Sequence, residues 1–335
     1  MGAHNHDSDQ AVATDHTTKV PLMFPSDFIR STSIPIDSTL TSTPTTSTSW
    51  PPGFRAAAAF TFDVDAESAV LSGAPHMRDQ LSAMSQQAYG PTIGVPRLLK
   101  MLARFGVRST FFVPGYTAER YPHTVEHILD AGHEVAHHGY LHESLVGKSR
   151  EEEAAILDRS IEILEGRFGV RPGGYRAPFW ELNWHSPALL AERGFLYDSS
   201  LMNADRPYPI RTAAGTLIEL PINWGLDDWG HYCYIPGVSG DAQFTPPAAV
   251  AEMWCDDATA VLDDEGLWIL TNHPFLSGRP ARVRALETVL RAVLDRGDTW
   301  VSTLGEIAAH VRELKLEPVT LARPMLDGDT AEVTA

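Results

Sequence analysis

The sequence predicts an α/β protein built as a single (β/α) barrel, and three observations carry that expectation. Between about residues 55 and 315, short apolar runs alternate with capped amphipathic segments, the pattern of parallel strands joined by helices. These units are numerous and evenly spaced, which favours a closed sheet over an open one. Asp63, His138, Arg176, Asp198 and His273 fall at or just past the C-terminal ends of expected strands. That rim is where barrels gather their catalytic groups.

The apolar run 56–62 is the first strand and ends in an Asp pair. Pro96 opens a helix through Leu98, Leu99, Leu102 and Phe105, and Gly106 closes it. A strand at 107–113 and a helix at 118–131 follow, the latter stopped by Gly132. The short strand 133–137 delivers His138 and His142 just beyond its end. Ser149 and Glu152 form a capping-box pair for a helix that buries Leu157, Ile161, Leu164 and Phe168 and stops at Gly169. Further strands are expected at 173–177, 195–199, 217–222, 267–271 and 299–302, with helices at about 186–193, 246–263, 280–295 and 304–314. The stretch 67–95 has no convincing periodicity and reads as a long loop, an active-site cover or an interface arm.

The 335 residues, 43% hydrophobic and 21% charged, suffice for one large barrel. A formal net charge of −17 argues against nucleic-acid and anionic-membrane partners, and no apolar run is long enough for a membrane span. Cys233 and Cys255 imply neither a zinc-type CxxC nor a disulfide framework. Residues 1–49 are polar, include STLTSTPTTSTS, and cannot bury enough apolar surface to offset their chain entropy. His4 and His6 in that segment bind nothing of consequence. The expected organisation is a disordered tail over 1–49, a catalytic barrel over 50–316 and a flexible tail over 317–335. The opening residues lack the order of a secretory signal, so a cytoplasmic location is expected.

Asp63 and Asp65 lie two apart in FTFDVDAES, and alternation along a strand would put both on one face. Like charges that close raise each other's pKa unless a cation intervenes. His138 and His142 lie four apart in HHGYLHES, a spacing that brings two imidazoles together on a helical turn; here they also flank a glycine turn. His133 and His137 have the same spacing but sit along a strand, where i and i+4 do not meet. An Asp–His–His set closes three positions around a divalent ion and leaves one open, as hydrolysis requires. The aromatics Phe179, Trp180, Trp224, Trp229 and Tyr232 are candidates for pocket walls, while Asp227 and Asp228 read as a loop cap.

TFDVDAE, GHEVAHHGYLHES, GYRAPFWELN, YDSSLM and LTNHP occur in that order and resemble the five motifs of the polysaccharide deacetylase (NodB-homology) family. The resemblance covers about residues 50–310 and implies a distorted (β/α) barrel, a divalent metal and often a homo-oligomer. It implies that Asp63 is the base, that Asp65, His138 and His142 hold the metal, and that Arg176 orients the base. It further implies that Asp198 supports His273 and that His273 is the acid. Zinc is the expected ion, with manganese, cobalt or nickel as substitutes. Most members carry TFDDG; the spaced FDVD, PINWGLDDWGHYCY and NHPFLSGRP resemble instead the subgroup of cyclic imide hydrolases, allantoinase-like enzymes and peptidoglycan deacetylase-like proteins. The leading expectation is therefore hydrolysis of a small cyclic imide or ureide. The alternatives are N-deacetylation of a chitin- or peptidoglycan-type polymer and a non-catalytic carbohydrate-binding barrel.

Overall fold

The computed structural model describes residues 48–239 and 244–324. The expected N-terminal tail lies outside them apart from Thr48 and Ser49. Thr48 is already buried, and Trp50 stacks on His310 and donates its indole N–H to Glu265 O at 2.9 Å.

The strands are β1 (Ala56–Asp63), β2 (Thr110–Val113), β3 (Glu134–His137), β4 (Gly174–Tyr175), β5 (Tyr197–Asp198), β6 (Tyr208–Thr212), β7 (Gly215–Glu219), β8 (Leu267–Asn272) and β9 (Thr299–Val301). They pair in the order β6-β7-β5-β4-β3-β2-β1-β8, with β9 on β1, and every pairing is parallel except β6 with β7. β1 is flanked by β2 and β9 on one side and β8 on the other and is wholly buried, so it reads as a continuous apolar run instead of an alternating one. Its Ala56, Ala58, Phe60 and Phe62 pack outward against helices, while Ala57 and Ala59 face the barrel interior.

The helices are α1 (Ser68–Leu71), α2 (Leu81–Tyr89), α3 (Val95–Phe105), α4 (Gly115–Arg120), α5 (Pro122–Asp130), α6 (Arg150–Phe168), α7 (Ser186–Glu192), α8 (Trp229–Tyr232), α9 (Pro247–Asp263), α10 (Pro274–Ser277), α11 (Pro280–Leu294) and α12 (Leu304–Glu313). The capping box of α6 forms in both directions, and Gly106 and Gly169 end α3 and α6 in the left-handed conformation. α12 brings Leu304, Ile307, Ala308 and Val311 against the inward residues of the sheet, filling the end of the barrel opposite Asp63.

Four expectations change. The sheet does not close by a strand ladder: the chain after β7 crosses from β5 (Leu220 N to Asp198 O, 2.9 Å) to β8, where Asp227 makes a single bridge to Thr271. The expected helix 118–131 is two, α4 and α5, because Pro122 forces Tyr121 out of helical geometry. The stretch 67–95 is no loop but α1, a 3-10 turn, α2 and a π-helical turn that runs into α3. A Cβ on Gly94 in that π turn would stand 2.2 Å from Pro274 O, so the bare glycine lets this arm press against α10. Finally, β6 was not foreseen, and its edge holds Val319 through Val319 N to Pro209 O and Arg211 N to Val319 O, both 2.8 Å. The C-terminal segment is therefore anchored two residues past the expected boundary at 317.

Candidate metal and hydrolytic centre

β1 ends at Asp63, so Asp65 reaches the same cavity by a turn and not by strand alternation. Ala66 takes a positive φ of 52°, and the Asp65 carbonyl accepts from Ser68 Oγ at 2.6 Å and Thr117 Oγ1 at 2.7 Å. These bonds leave the Asp65 carboxylate to face inward. On the neighbouring side, His138 follows β3 directly. Gly139 (φ 70°) and His142 (φ 56°) then fold the chain back, so the two imidazoles meet 4.9 Å apart across a loop. The helical turn suggested by their spacing is absent. The rival pair is occupied elsewhere: His137 contacts Leu157 O and Gly139 N, and His133 accepts from Ser109 N.

His138 donates Nδ1–H to Arg176 O at 2.7 Å, which fixes its tautomer and leaves Nε2 bare, 3.4 Å from Asp65 Oδ1. His142 Nε2 lies 3.7 Å from Asp65 Oδ2. Ligand atoms of Asp65, His138 and His142 all fall within 4.8 Å of one another. Both Asp65 oxygens are buried and meet no donor among the described residues. Burial, with a smaller push from Asp63, raises the Asp65 pKa to about 7; burial lowers that of His138 to about 3 and holds that of His142 well below its ordinary value. Two neutral imidazoles with bare nitrogens and one carboxylate without donors form a set that a divalent cation completes. The residues fit the expected metal.

Asp63 is held differently. The wholly buried Arg176 donates Nη1 to Asp63 Oδ1 and to Thr61 Oγ1, each at 2.9 Å, and stacks its guanidinium 4.1 Å from the centre of the Phe112 ring. Oδ2 of Asp63 lies 3.9 Å from His138 Nε2, on the metal side.

His273 caps the start of α10 and points Nε2 to within 3.5 Å of Asp65 Oδ2. Its expected partner is wrong. Asp198 bonds Ser200 Oγ at 2.8 Å, beneath Arg176, whereas His273 Nδ1 meets Asp228 Oδ1 at 2.7 Å, with Asp227 at 3.5 Å. Asp228 also accepts from His273 N and Ser277 Oγ. With three donors, Asp228 is saturated as a hydrogen-bond acceptor, which sets the Asp227–Asp228–His273 cluster apart from the donor-free Asp65. Burial pushes the His273 pKa down, but Asp227, Asp228 and Asp65 together hold it well above its ordinary value. The missed signal was an acidic pair inside an aromatic run, GLDDWGHY; reading it requires knowing that this segment crosses to β8.

Asp63, Asp65, His138, His142, Asp227 and His273 line one pocket of about 190 Å³, walled by Phe179, Trp180, Trp224 and Trp229. Arg176, Asp198 and Tyr232 do not reach it. Phe179 and Trp180 take positive φ values of 58° and 56°, a strained pair of neighbours that sets Phe179 edge-on over His142 at 4.7 Å. Trp224 stacks on Trp180, and Trp229 stands edge-on to His273 at 5.1 Å.

Residues 88–197 match the Polysaccharide deacetylase family profile. A peptidoglycan deacetylase of Helicobacter pylori is 31% identical over 277 residues, spanning 75% of this chain and 94% of that protein. The chain belongs to the polysaccharide deacetylase family. As a member of that family it is a hydrolase of carbon–nitrogen bonds other than peptide bonds. A Mycobacterium smegmatis structure assigned to the polysaccharide deacetylases is 55% identical, with a TM-score of 0.83 over 85% of this chain and 99% of the other. A Puue allantoinase, 22% identical with a TM-score of 0.70 over 79% of this chain and 93% of its own, shares the fold. Among the described residues no helix is long and apolar enough to cross a membrane.

Proposed function

We propose that this polysaccharide deacetylase removes acetyl groups from an N-acetylated polymer of the peptidoglycan or chitin type. The observation that carries the reading is the division of labour in the pocket: a base held by Arg176, a donor-free ligand set beside it, and a histidine backed by Asp228 opposite. When bound at Asp65, His138 and His142, a divalent ion, zinc by its mixed oxygen and nitrogen donors, polarises the amide carbonyl and lowers the pKa of a water. Asp63 takes the proton of the attacking water on Oδ2, since Oδ1 is engaged by Arg176. His273, protonated on both nitrogens, gives its Nε2 proton to the departing nitrogen, and Asp228 holds the ring in register on Nδ1. Acetate and a free amine result. Phe179, Trp180, Trp224 and Trp229 supply flat apolar walls for the sugar face.

The polymer displaces the small cyclic imide or ureide from first place because the relative matched over nearly its whole length is a peptidoglycan deacetylase, whereas the allantoinase shares too little sequence to carry more than fold. One observation still favours the small ring: the pocket measures about 190 Å³, and Phe179, Trp180, Trp224 and Trp229 wall it. The decisive experiment incubates the purified protein with N-acetylglucosamine oligomers and, separately, with succinimide, hydantoin and allantoin. Acetate release from the oligomers is expected. Ring opening without any acetate release overturns the reading in favour of the imide or ureide, and inertness toward both leaves the non-catalytic barrel.

A further inference from the structure

Arg176 is the hub of the site: its guanidinium holds Asp63, and its carbonyl holds His138. What holds Arg176 lies outside the pocket. Its Nε donates to Ser199 O at 3.0 Å and its Nη2 to Ser199 Oγ at 3.1 Å. Ser199 Oγ in turn donates to Leu220 O at 2.9 Å, and Ser200 Oγ accepts from Ala177 N at 2.9 Å. Ser199 and Ser200 thus cradle the arginine, yet they follow β5, a strand of 2 residues, too short to fix a turn by its ladder alone.

Glu219 fixes it. It stands opposite Asp198 in the β5–β7 register, and its Oε1 accepts from Ser200 N at 3.2 Å and Leu201 N at 3.0 Å. Asp198 Oδ1 accepts from Ser200 Oγ. The remaining oxygens, Asp198 Oδ2 and Glu219 Oε2, are buried and meet no hydrogen-bond partner among the described residues.

We infer that Glu219 and Asp198 are positioning residues for the hydrolysis: they hold the Ser199–Ser200 turn and, through it, the register in which Arg176 aims Asp63. The catalytic half of this inference rests on the reading of Asp63 as base; the positioning of Arg176 does not, and is read separately.

Glu219→Gln keeps the shape of the side chain, and its amide oxygen can still accept from both backbone N–H groups. Glu219→Leu keeps the bulk and removes both bonds. In the parent and in Glu219→Gln, NMR should find the Arg176 Nε–H protected from hydrogen exchange, with matching turnover on N-acetylglucosamine oligomers. In Glu219→Leu that protection should vanish and kcat should fall ~10²-fold with KM unchanged, the scale of a misplacement of about 1 Å. Should Glu219→Leu not fold, Ser199→Ala, which removes only the Nη2 acceptor and the bond to Leu220, carries the test and must lower kcat at constant KM. Parental kcat with full protection in either folded variant overturns the inference, as does a Glu219→Gln protein as impaired as Glu219→Leu. A parent that releases no acetate overturns the deacetylase reading alone, because the exchange measurement still reports on Arg176.

Discussion

Asp63 with Asp65, and Asp198 with Glu219, are two pairs of buried carboxylates on either side of one arginine, and the fold treats their charge by different means. In the first pair Arg176 neutralises Asp63 from one side, while Asp65 is left with two bare oxygens facing two bare imidazole nitrogens. In the second pair three donors from Ser200 and Leu201 occupy one oxygen of each acid, and the other two oxygens are buried without a partner among the described residues. Burial and proximity are common to both, so neither property identifies a metal ligand. What distinguishes the pairs is what neighbours them: nitrogen lone pairs beside Asp65 call for a cation, whereas burial and a neighbouring carboxylate raise the pKa of Glu219.

The largest expected effect tests the cation. A double variant Asp65→Ala, His138→Ala should fall from one bound divalent ion per chain to none in elemental analysis, with hydrolysis abolished; full metal occupancy would sink the assignment. Next comes the partner of Arg176. Asp63→Asn removes the base at constant size, and turnover should drop ~10²–10⁴-fold with metal content at the parental value, while the melting temperature falls because buried Arg176 loses its carboxylate partner. Parental activity in that variant would contradict the role given to Asp63. A smaller loss is expected on the opposite wall, where Asp228→Ala strips His273 of its Nδ1 acceptor. Loss of such a supporting carboxylate costs ~10–100-fold, whereas Asp198→Asn should leave His273 untouched; the reverse outcome would restore the sequence-based pairing.

The smallest effect concerns the proton of the second pair. Burial holds the Asp198 pKa up at about 6 and that of Glu219 well above its ordinary value. The folded protein therefore keeps a proton that the unfolded chain releases from roughly pH 4 upward. Stability from this source is fully present below that pH and is lost as pH rises through about 6, where Asp198 titrates, and on through the raised pKa of Glu219. Glu219→Gln lacks the titrating group, so its melting temperature should gain on the parent's across that interval by a few degrees. Parallel curves would show that the pair is not protonated in the fold.

The contrast between the two pairs also marks what could be read from the sequence. Asp63, Asp65, His138, His142 and His273 were legible because each lies at or within a few residues of a strand end, and strands announce themselves by composition. The turns that aim them were not: Ala66 adopts a positive φ at a residue type that carries no signal for it, His142 at one that carries only a weak signal, and the spacing of the histidines pointed to a helix that does not form. The partner of His273 was misread for a related reason. Asp198 follows an apolar run and looks like a rim residue, but β5 is so short that Asp198 turns toward Glu219, and Asp228 arrives from a crossing segment with no strand of its own. The arm 67–95 escaped because α2 buries only Ala83 and Gln87, too little for an apolar stripe.

The stack of Trp180 on Trp224, with ring centroids 4.2 Å apart and planes inclined by 22°, has a consequence beyond packing. Indoles that close share their excitation, so the mouth of this pocket carries an optical signature set by the geometry of two rings. Trp180 is locked in the core, whereas Trp224 is half-exposed and is the ring a ligand would touch. Anything that settles there changes the coupling, and near-ultraviolet circular dichroism would register its arrival without a label, a chromogenic substrate or a completed reaction.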